Sequence, residues 1–516
     1  MMAVSERTLL LHGFYLNYLN SFVSLGVIVL LTPVLLRELG RADYGFWAIF
    51  TSLIAYCSLL DIGTNTAVMK YVSEYRARND DERLNQLVST ILLLMLVVVA
   101  LIVLFSLLFA SSIMSLFAAE GQGTSRSTAL LITAFGIASM LLCGVFGSVL
   151  FGLQRVDVVK GIAVVQAIVN GGLAFLFVRR GSGLPGVALA FLLSTLMQAV
   201  LLVFFLARGD HRIMIRFRFA SLSTLWEIGP YSLRTFVLGI SSRLLYYSDY
   251  VVIGALLGAA AIAPYEVAYK LCFLSTYVFS IISGTMFPKC AELHAIGEMA
   301  RLRIIYLRIT KISLMIVAAA GVFLMLYGES LVQVWVGEGN FAGMGVITVL
   351  VVMNVFHAIG TPAAMILQSS GRNQRLMYAE ILNAALNLLL SIMLVKWMGL
   401  VGAALGTLVA HLSSSFWIVL RMPCHTMALP VKTYVRTSVV PPLAAGLATG
   451  LVMLAVSRWP TPSRTLGDIL LGGGAVVAIY AATYITLGAS GEERQAVRRW
   501  LKTIPTLRLL DGSERH

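Results

Sequence analysis

Residues 39–78 read LGRADYGFWAIFTSLIAYCSLLDIGTNTAVMKYVSEYRAR. The stretch opens on a glycine turn at Leu39-Gly40, followed by Tyr44-Gly45. A mostly apolar run from Phe46 to Leu60 then meets a single carboxylate at Asp61, and Gly63. A mixed-charge segment with Lys70, Arg76, Arg78 and, just beyond, Arg83 closes it. At about 1.5 Å of rise per residue, an apolar run of roughly twenty residues crosses the hydrocarbon core of a bilayer. The charged segment marks the side on which the chain leaves it.

The remainder of the chain has the same character. Of 516 residues, 59% are hydrophobic and only 12% charged, and the mean hydropathy is +0.88. Soluble globular domains carry about 25% charged residues, so the composition excludes that class and specifies an all-α integral membrane protein. The run Phe14 to Leu36 is too long for a signal-peptide core and lacks a small-residue cleavage site, so it reads as the first membrane helix. A formal charge of +14 would suggest nucleic acid in a soluble protein. Here the bilayer explains it, through positively charged inner loops and anionic headgroups, and no nucleic-acid partner is expected. Five scattered cysteines with no CxxC spacing read as small core residues, not metal ligands or disulfides.

Apolar runs predict about fourteen transmembrane helices, near 14–36, 44–66, 88–112, 128–151, 161–179, 186–207, 229–257, 264–286, 305–327, 343–368, 376–396, 401–420, 437–457 and 466–487. Short glycine-containing turns make hairpins of the fifth and sixth and of the eleventh and twelfth. Of the 38 Lys and Arg residues, 27 fall on one set of segments, 8 on the other, and Arg234, Arg243 and Lys270 lie inside apolar runs. That bias predicts that both termini are cytoplasmic.

The chain also repeats. Residues 183–195 read GLPGVALAFLLST and residues 399–411 read GLVGAALGTLVAH. Gly152-Leu-Gln-Arg155 with Asn170 parallels Gly371-Arg-Asn-Gln-Arg375 with Asn387. Leu39-Gly40 with Tyr44 parallels Leu257-Gly258 with Tyr265. Six helices therefore appear twice and, six being even, in the same orientation: two parallel six-helix repeats plus two C-terminal helices. The predicted divisions are 1–220, 221–430, the added pair in 431–490, and a basic tail in 491–516. The tail reads equally as an amphipathic helix on anionic lipid and as a solvated end.

Leu-Gly…Tyr-Gly, a spanning helix, Asp-Ile-Gly and a short basic segment together resemble the opening of the polysaccharide-transporter family of flippases. That family belongs to the superfamily that also holds multidrug and toxin extrusion exporters and lipid II flippases. The duplication matches the superfamily's six-plus-six plan, and the extra pair suits the flippases. The resemblance covers the whole chain. It implies a bacterial inner-membrane protein, not an enzyme, that moves an undecaprenyl-pyrophosphate-linked oligosaccharide, such as an O-antigen or exopolysaccharide unit, by alternating access. It further implies coupling to H⁺ or Na⁺ without a cofactor, and partnership with a polysaccharide polymerase and chain-length machinery.

No nucleotide-binding or catalytic motif interrupts the helices, so an ion gradient is the expected energy source. Charges inside apolar helices each cost about 2.5–3.5 kcal/mol on insertion scales and need a partner or a wet cavity. The seventh span holds Arg234, Arg243 and Asp249. The eighth holds Glu266 and Lys270 at i,i+4 spacing. The second holds Asp61, and the first contributes Asn17 and Asn20, with Ser21 and Ser24. These residues form the expected substrate site, in which fixed Arg and Lys charges replace the hydration of a pyrophosphate. The alternative is internal pairing, Arg243 with Glu266 and Asp249 with Lys270. Arg234 and Arg243 are nine residues apart, about 180° around a helix, so both face one cavity only if the helix breaks, for instance at Gly239. Asn354, Asn383 and Asn387 fit interhelical hydrogen bonds. His357 and His411, on different helices, read as separate core histidines.

A multidrug exporter of organic cations would carry a surplus of carboxylates in place of this excess of bases. A lipid II flippase shares the basic cavity. A membrane-embedded glycosyl-transfer enzyme would need a larger outer loop than any present.

Overall fold

The chain turns its first corner at Gly40. There the backbone takes φ 73° and ψ 172°, a left-handed conformation open to glycine and strained for residues with a Cβ. The computed structural model describes residues 2–115, 123–209, 214–370, 374–456 and 465–501. Its regular secondary structure is helical, with no strand among the described residues. In hydrocarbon a helix satisfies its own backbone hydrogen bonds, so long apolar runs have no stable alternative.

The first eight helices are α1 (Met2–Cys57), α2 (Leu59–Ala77), α3 (Asp81–Ser115), α4 (Gly123–Gly152), α5 (Val156–Arg179), α6 (Gly183–Arg208), α7 (Leu222–Leu257) and α8 (Ile262–Ala295). They are followed by α9 (Met299–Val336), α10 (Met344–Ser369), α11 (Gln374–Met398), α12 (Leu400–Ser413), α13 (Phe416–Thr426), α14 (Val431–Tyr434), α15 (Val440–Val456), α16 (Leu466–Thr483) and α17 (Gly491–Leu501).

Among the described residues, twelve helical stretches are long and apolar enough to cross a membrane. The sequence predicted about fourteen passes, and two elements account for the difference. The first stretch, Leu19–Cys57, has 39 residues, about 58 Å of helix, nearly twice a hydrocarbon core of about 30 Å. Its bend at Gly40 makes it two passes. The other is α7, whose 36 residues reach about 54 Å, long enough for one further pass. Large apolar side chains such as Leu108 (63% exposed) and Leu447 (74%) point outward, as lipid-facing residues must.

The internal repeat has a backbone signature. Gly258, the counterpart of Gly40, has φ 87° and ψ 158°. The hairpin glycines Gly183 and Gly399 have φ 57° and 58°. The first pair of corners also touch, because Gly45 packs directly on the backbone of Ala259. Tyr44 and Tyr265, paired in the sequence repeat, are both buried.

Contacts group the described residues into two compact units, one within Met1–Glu266 and Glu380–Ala410, the other within Val267–Ala379 and His411–His516. These packing units divide the chain differently from the sequence repeat. The core of the first unit joins α2 to α6 through Val68, Leu87, Ile91, Val145, Val149 and Leu202. Its outer edge carries a nearly buried ion pair, Arg126 Nε to Asp43 Oδ1 at 2.8 Å, with the guanidinium 4.5 Å from the centre of the Phe46 ring. The core of the second unit gathers Leu302, Leu314, Ile359, Ile366 and Val419 around Tyr306 and Tyr434, whose rings stack 4.9 Å apart. In the same unit the added helices α15 and α16 lie on α9, with Gly446 against Ala318 and Gly472 against Tyr327. Small residues at such contacts let membrane helices approach closely. The cysteines are free thiols, four buried and Cys57 half-buried.

Candidate functional site

Asp249 sits in the last third of α7, inside the first unit, and is 4% exposed. Its Oδ2 accepts hydrogen bonds from Tyr265 OH at 2.8 Å and Thr407 Oγ1 at 2.9 Å. Its Oδ1 accepts one from Ser391 Oγ at 3.0 Å. A second layer fixes these donors. Asn387 Nδ2 donates to Thr407 Oγ1 at 2.6 Å, and Ser248 Oγ donates to Asn387 Oδ1 at 2.9 Å. Four helices converge here: α7 brings Ser248 and Asp249, α8 brings Tyr265, α11 brings Asn387 and Ser391, and α12 brings Thr407. Asn387 and Ser391 are four residues apart, so they share one face of α11.

The chemistry of the cage is one carboxylate among neutral polar groups. Asp249 has no ion-pair partner among the described residues; the groups that hold it are three hydroxyls and the Asn387 amide, all uncharged. Such donors stabilise an ionised carboxylate but do not neutralise it, and a buried uncompensated charge is costly. A single monovalent cation or a proton would balance such a charge, and hard oxygen donors suit H⁺ or Na⁺ better than a soft metal. No cluster of three His, Cys, Asp or Glu residues occurs among the described residues, so a multi-carboxylate divalent site is not formed there.

Residues 10–294, more than half of the chain, match the family described as polysaccharide biosynthesis protein. The chain belongs to this family. A probable low-salt glycan biosynthesis flippase of Haloferax volcanii is 23% identical over 390 residues, covering 74% of this chain and 78% of that protein. A putative O-antigen transporter of Shigella flexneri is 21% identical over 401 residues, covering 77% of this chain and 91% of that one. The fold is similar to that of the lipid II flippase MurJ in an inward closed conformation, with a TM-score of 0.72 at 14% identity, covering 92% of this chain and 98% of that structure.

Within this member of the family, the sequence-predicted site residues divide as follows. Asp249 is the one placed at the centre of a polar cage. Glu266, the residue after Tyr265, is buried at the end of the first unit, and Lys270 is half-buried on the part of α8 that belongs to the second. Asn20 is half-buried on α1. The side chains of Arg234, Arg243, Asp61 and Asn17 lie outside the described residues. The backbone of α7 is continuous through Gly239, so the break considered there is absent and positions 234 and 243 remain on opposite sides of the helix axis.

Sequence reasoning missed Ser248, Tyr265, Ser391 and Thr407. The usable signal was polarity inside apolar helices: the Asn387–Ser391 spacing and Thr407 within the repeated GLVGAALGT motif. The second unit holds a further buried group. His357 and His411, read separately in the sequence, stack at 5.8 Å with 12° between their planes. His411 Nδ1 is 2.9 Å from Ser415 Oγ, and Phe273 meets His357 edge-on at 5.3 Å. Asn354 is also bonded across helices, to Ser275 Oγ and Thr276 Oγ1.

Proposed function

We propose that this protein is a flippase that carries a polyprenyl-pyrophosphate-linked oligosaccharide, in a bacterium the undecaprenyl-linked unit of an O-antigen or exopolysaccharide, from the cytoplasmic to the outer leaflet of the inner membrane. The observation that carries the reading is the family match over residues 10–294, together with curated relatives named as flippases and O-antigen transporters over most of their own length. Those names support transport over catalysis. Both termini are cytoplasmic in this reading, which follows the Lys and Arg bias of the loops. The polymerase and chain-length machinery of the same polymer are the partners it would serve.

Ion coupling is assigned to the Asp249 cage. The carboxylate, held by Tyr265, Ser391 and Thr407, takes H⁺ or Na⁺, and occupancy neutralises a charge that four helices share. A site of that kind favours one packing of those helices when filled and another when empty, which is what coupling requires. The predicted substrate residues Arg243, Lys270, Glu266, Asp61, Asn17 and Asn20 remain assigned to pyrophosphate and sugar, with the two six-helix repeats rocking as bundles around them; Arg234, on the opposite side of an unbroken α7 from Arg243, is left out of that set.

Deleting the gene tests the reading. Lipid-linked oligosaccharide should accumulate on the cytoplasmic leaflet and surface polymer should disappear, with sensitivity to cationic dyes unchanged. Persisting polymer with raised dye sensitivity would replace the flippase by a multidrug exporter.

A further inference from the structure

Asp249 stands at the inner end of a row of tyrosines in the first unit. Tyr265, which donates to Asp249, meets Tyr250 at 6.3 Å and 81°. Tyr250 meets Tyr247 at 6.4 Å and 75°, and Tyr247 meets Tyr56 at 6.3 Å and 71°. Burial relaxes along the row: Tyr265 and Tyr250 are buried, Tyr247 and Tyr56 half-buried.

The open pair is deep. Tyr56 follows the Gly40 corner by 16 residues and Tyr247 precedes the Gly258 corner by 11, which puts them about 16–24 Å from the corners at 1.5 Å per residue, within a core of about 30 Å. Tyrosines of membrane proteins concentrate at the interfaces, where the hydroxyl reaches water. Neither the Tyr56 nor the Tyr247 hydroxyl has a hydrogen-bond partner among the described residues, and neither is among the enclosed unpaired atoms. A half-buried, unpaired phenol at that depth is costly against hydrocarbon and is at home beside a polar guest.

We infer that Tyr56 and Tyr247 form a saccharide-stacking corner. One ring offers its electron-rich face to the C–H face of a pyranose, the other closes the corner from the side, and the two phenols meet the sugar hydroxyls. Ring stacking tolerates changes in hydroxyl stereochemistry, so the corner selects the chemical class, a hexose or N-acetylhexosamine ring, and not one sugar. The inference rests on the flippase reading. It places the sugar-sensing rings two (Tyr247) and three (Tyr56) edge contacts from Tyr265, the residue that holds Asp249.

The test uses the purified full chain and two probes, polyprenyl pyrophosphate and the same lipid bearing one N-acetylhexosamine. Thermal unfolding should shift upward with either lipid, and further with the sugar-bearing one. That extra shift should be reduced but present in Tyr56→Phe and Tyr247→Phe, which keep the rings and lose the phenols, and lost in Tyr56→Leu and Tyr247→Leu, with the sugar-free shift intact. In the unmodified protein, nitration of Tyr56 and Tyr247 followed by mass spectrometry should be slowed by the sugar-bearing lipid alone, a readout that does not depend on any variant folding. Equal shifts from the two lipids, a Leu variant with the full extra shift, or equal nitration overturns the corner and leaves the lipid reading standing. No response to either lipid overturns both.

Discussion

Gly45 and Ala259 meet backbone to backbone: a Cβ at Gly45 would fall 1.8 Å from the Ala259 carbonyl oxygen. The contact joins the second pass of the first repeat to the matching corner of the second repeat, and no flexible side chain lies there to move aside. Gly45→Ala should therefore cost at least the 1–3 kcal/mol typical of an overpacked core. It would read as a clear fall in the unfolding temperature of the purified protein and in its membrane abundance. Gly172, also within a helix, has nothing within 4 Å of its added Cβ, so Gly172→Ala should be neutral or slightly stabilising. Equal behaviour of the two variants would mean that the corners do not pack as described.

Arg126 and Asp43 form an ion pair with side chains only 9% and 17% exposed. Removing one partner of a buried pair strands the other, a loss of up to about 3–5 kcal/mol when burial is complete. Arg126→Ala should lower the unfolding temperature more than Arg78→Ala, whose partner Glu74 lies in a solvated pair with side chains 65% and 35% exposed and worth under about 1 kcal/mol. Replacing both residues, Arg126→Leu with Asp43→Leu, should recover part of the loss. No recovery in the double variant would assign the effect to the guanidinium stacked on Phe46.

The helix α17 is tied to its unit through Glu493. Its Oε2 accepts from the Ser490 amide at 2.8 Å, while the Glu493 amide donates to Ser490 Oγ at 3.3 Å, a reciprocal capping box. Its Oε1 is 3.0 Å from Lys311 Nζ. Burial pushes the Glu493 carboxyl up, but the Ser490 amide and the Lys311 ammonium outweigh it, and the net result lies below the usual carboxylate range. A depressed folded-state value adds stability that is complete above the ordinary glutamate range and is lost as the pH falls through the folded value. Hydrogen exchange of α17 should stay slow from neutral pH down to the ordinary carboxylate range and quicken below it. In Lys311→Met the quickening should begin at higher pH. Exchange in α17 that is insensitive to pH across this interval would dismiss the anchor.

Much of this was open to sequence reading because membrane helices obey few rules. Apolar length fixed the passes, and the repeated glycine motifs located corners whose dihedral angles match. The Ser490-Gly-Glu-Glu493 capping box was equally legible and went unread. The Asp249 cage was harder to see, since its donors are ordinary hydroxyl residues on α8, α11 and α12 and only the fold makes them neighbours. Charge counting pointed to Asp249 and offered a substrate cavity or a lysine for it, because sequence shows which charges are buried and not which neutral groups surround them. His357 and His411 were missed for the same reason: 54 residues of chain separate two rings that stack.

Asp249 itself supplies the decisive measurement for coupling. If the cage holds Na⁺, the unfolding temperature of the purified protein should rise when choline chloride is exchanged for sodium chloride at constant ionic strength. A ligand at a hundred times its dissociation constant adds about 2.7 kcal/mol, a shift well within reach of the method. Asp249→Asn keeps the shape and removes the charge, so the sodium response should vanish. Thr407→Val, which deletes a hydroxyl bonded to both Asp249 and Asn387, should weaken it strongly, and Ser391→Ala more mildly because a single bond is lost. If the ion is H⁺, sodium should have no effect, and the unfolding temperature should instead vary with pH in the unmodified protein and lose that variation in Asp249→Asn. Flipping should then fail in Asp249→Asn under either ion while the protein still accumulates in the membrane, because the amide oxygen can accept from Tyr265 and Thr407 while its NH2 donates to Ser391 Oγ. A fully active Asp249→Asn variant with no sodium or pH response in the parent would remove ion coupling from this site.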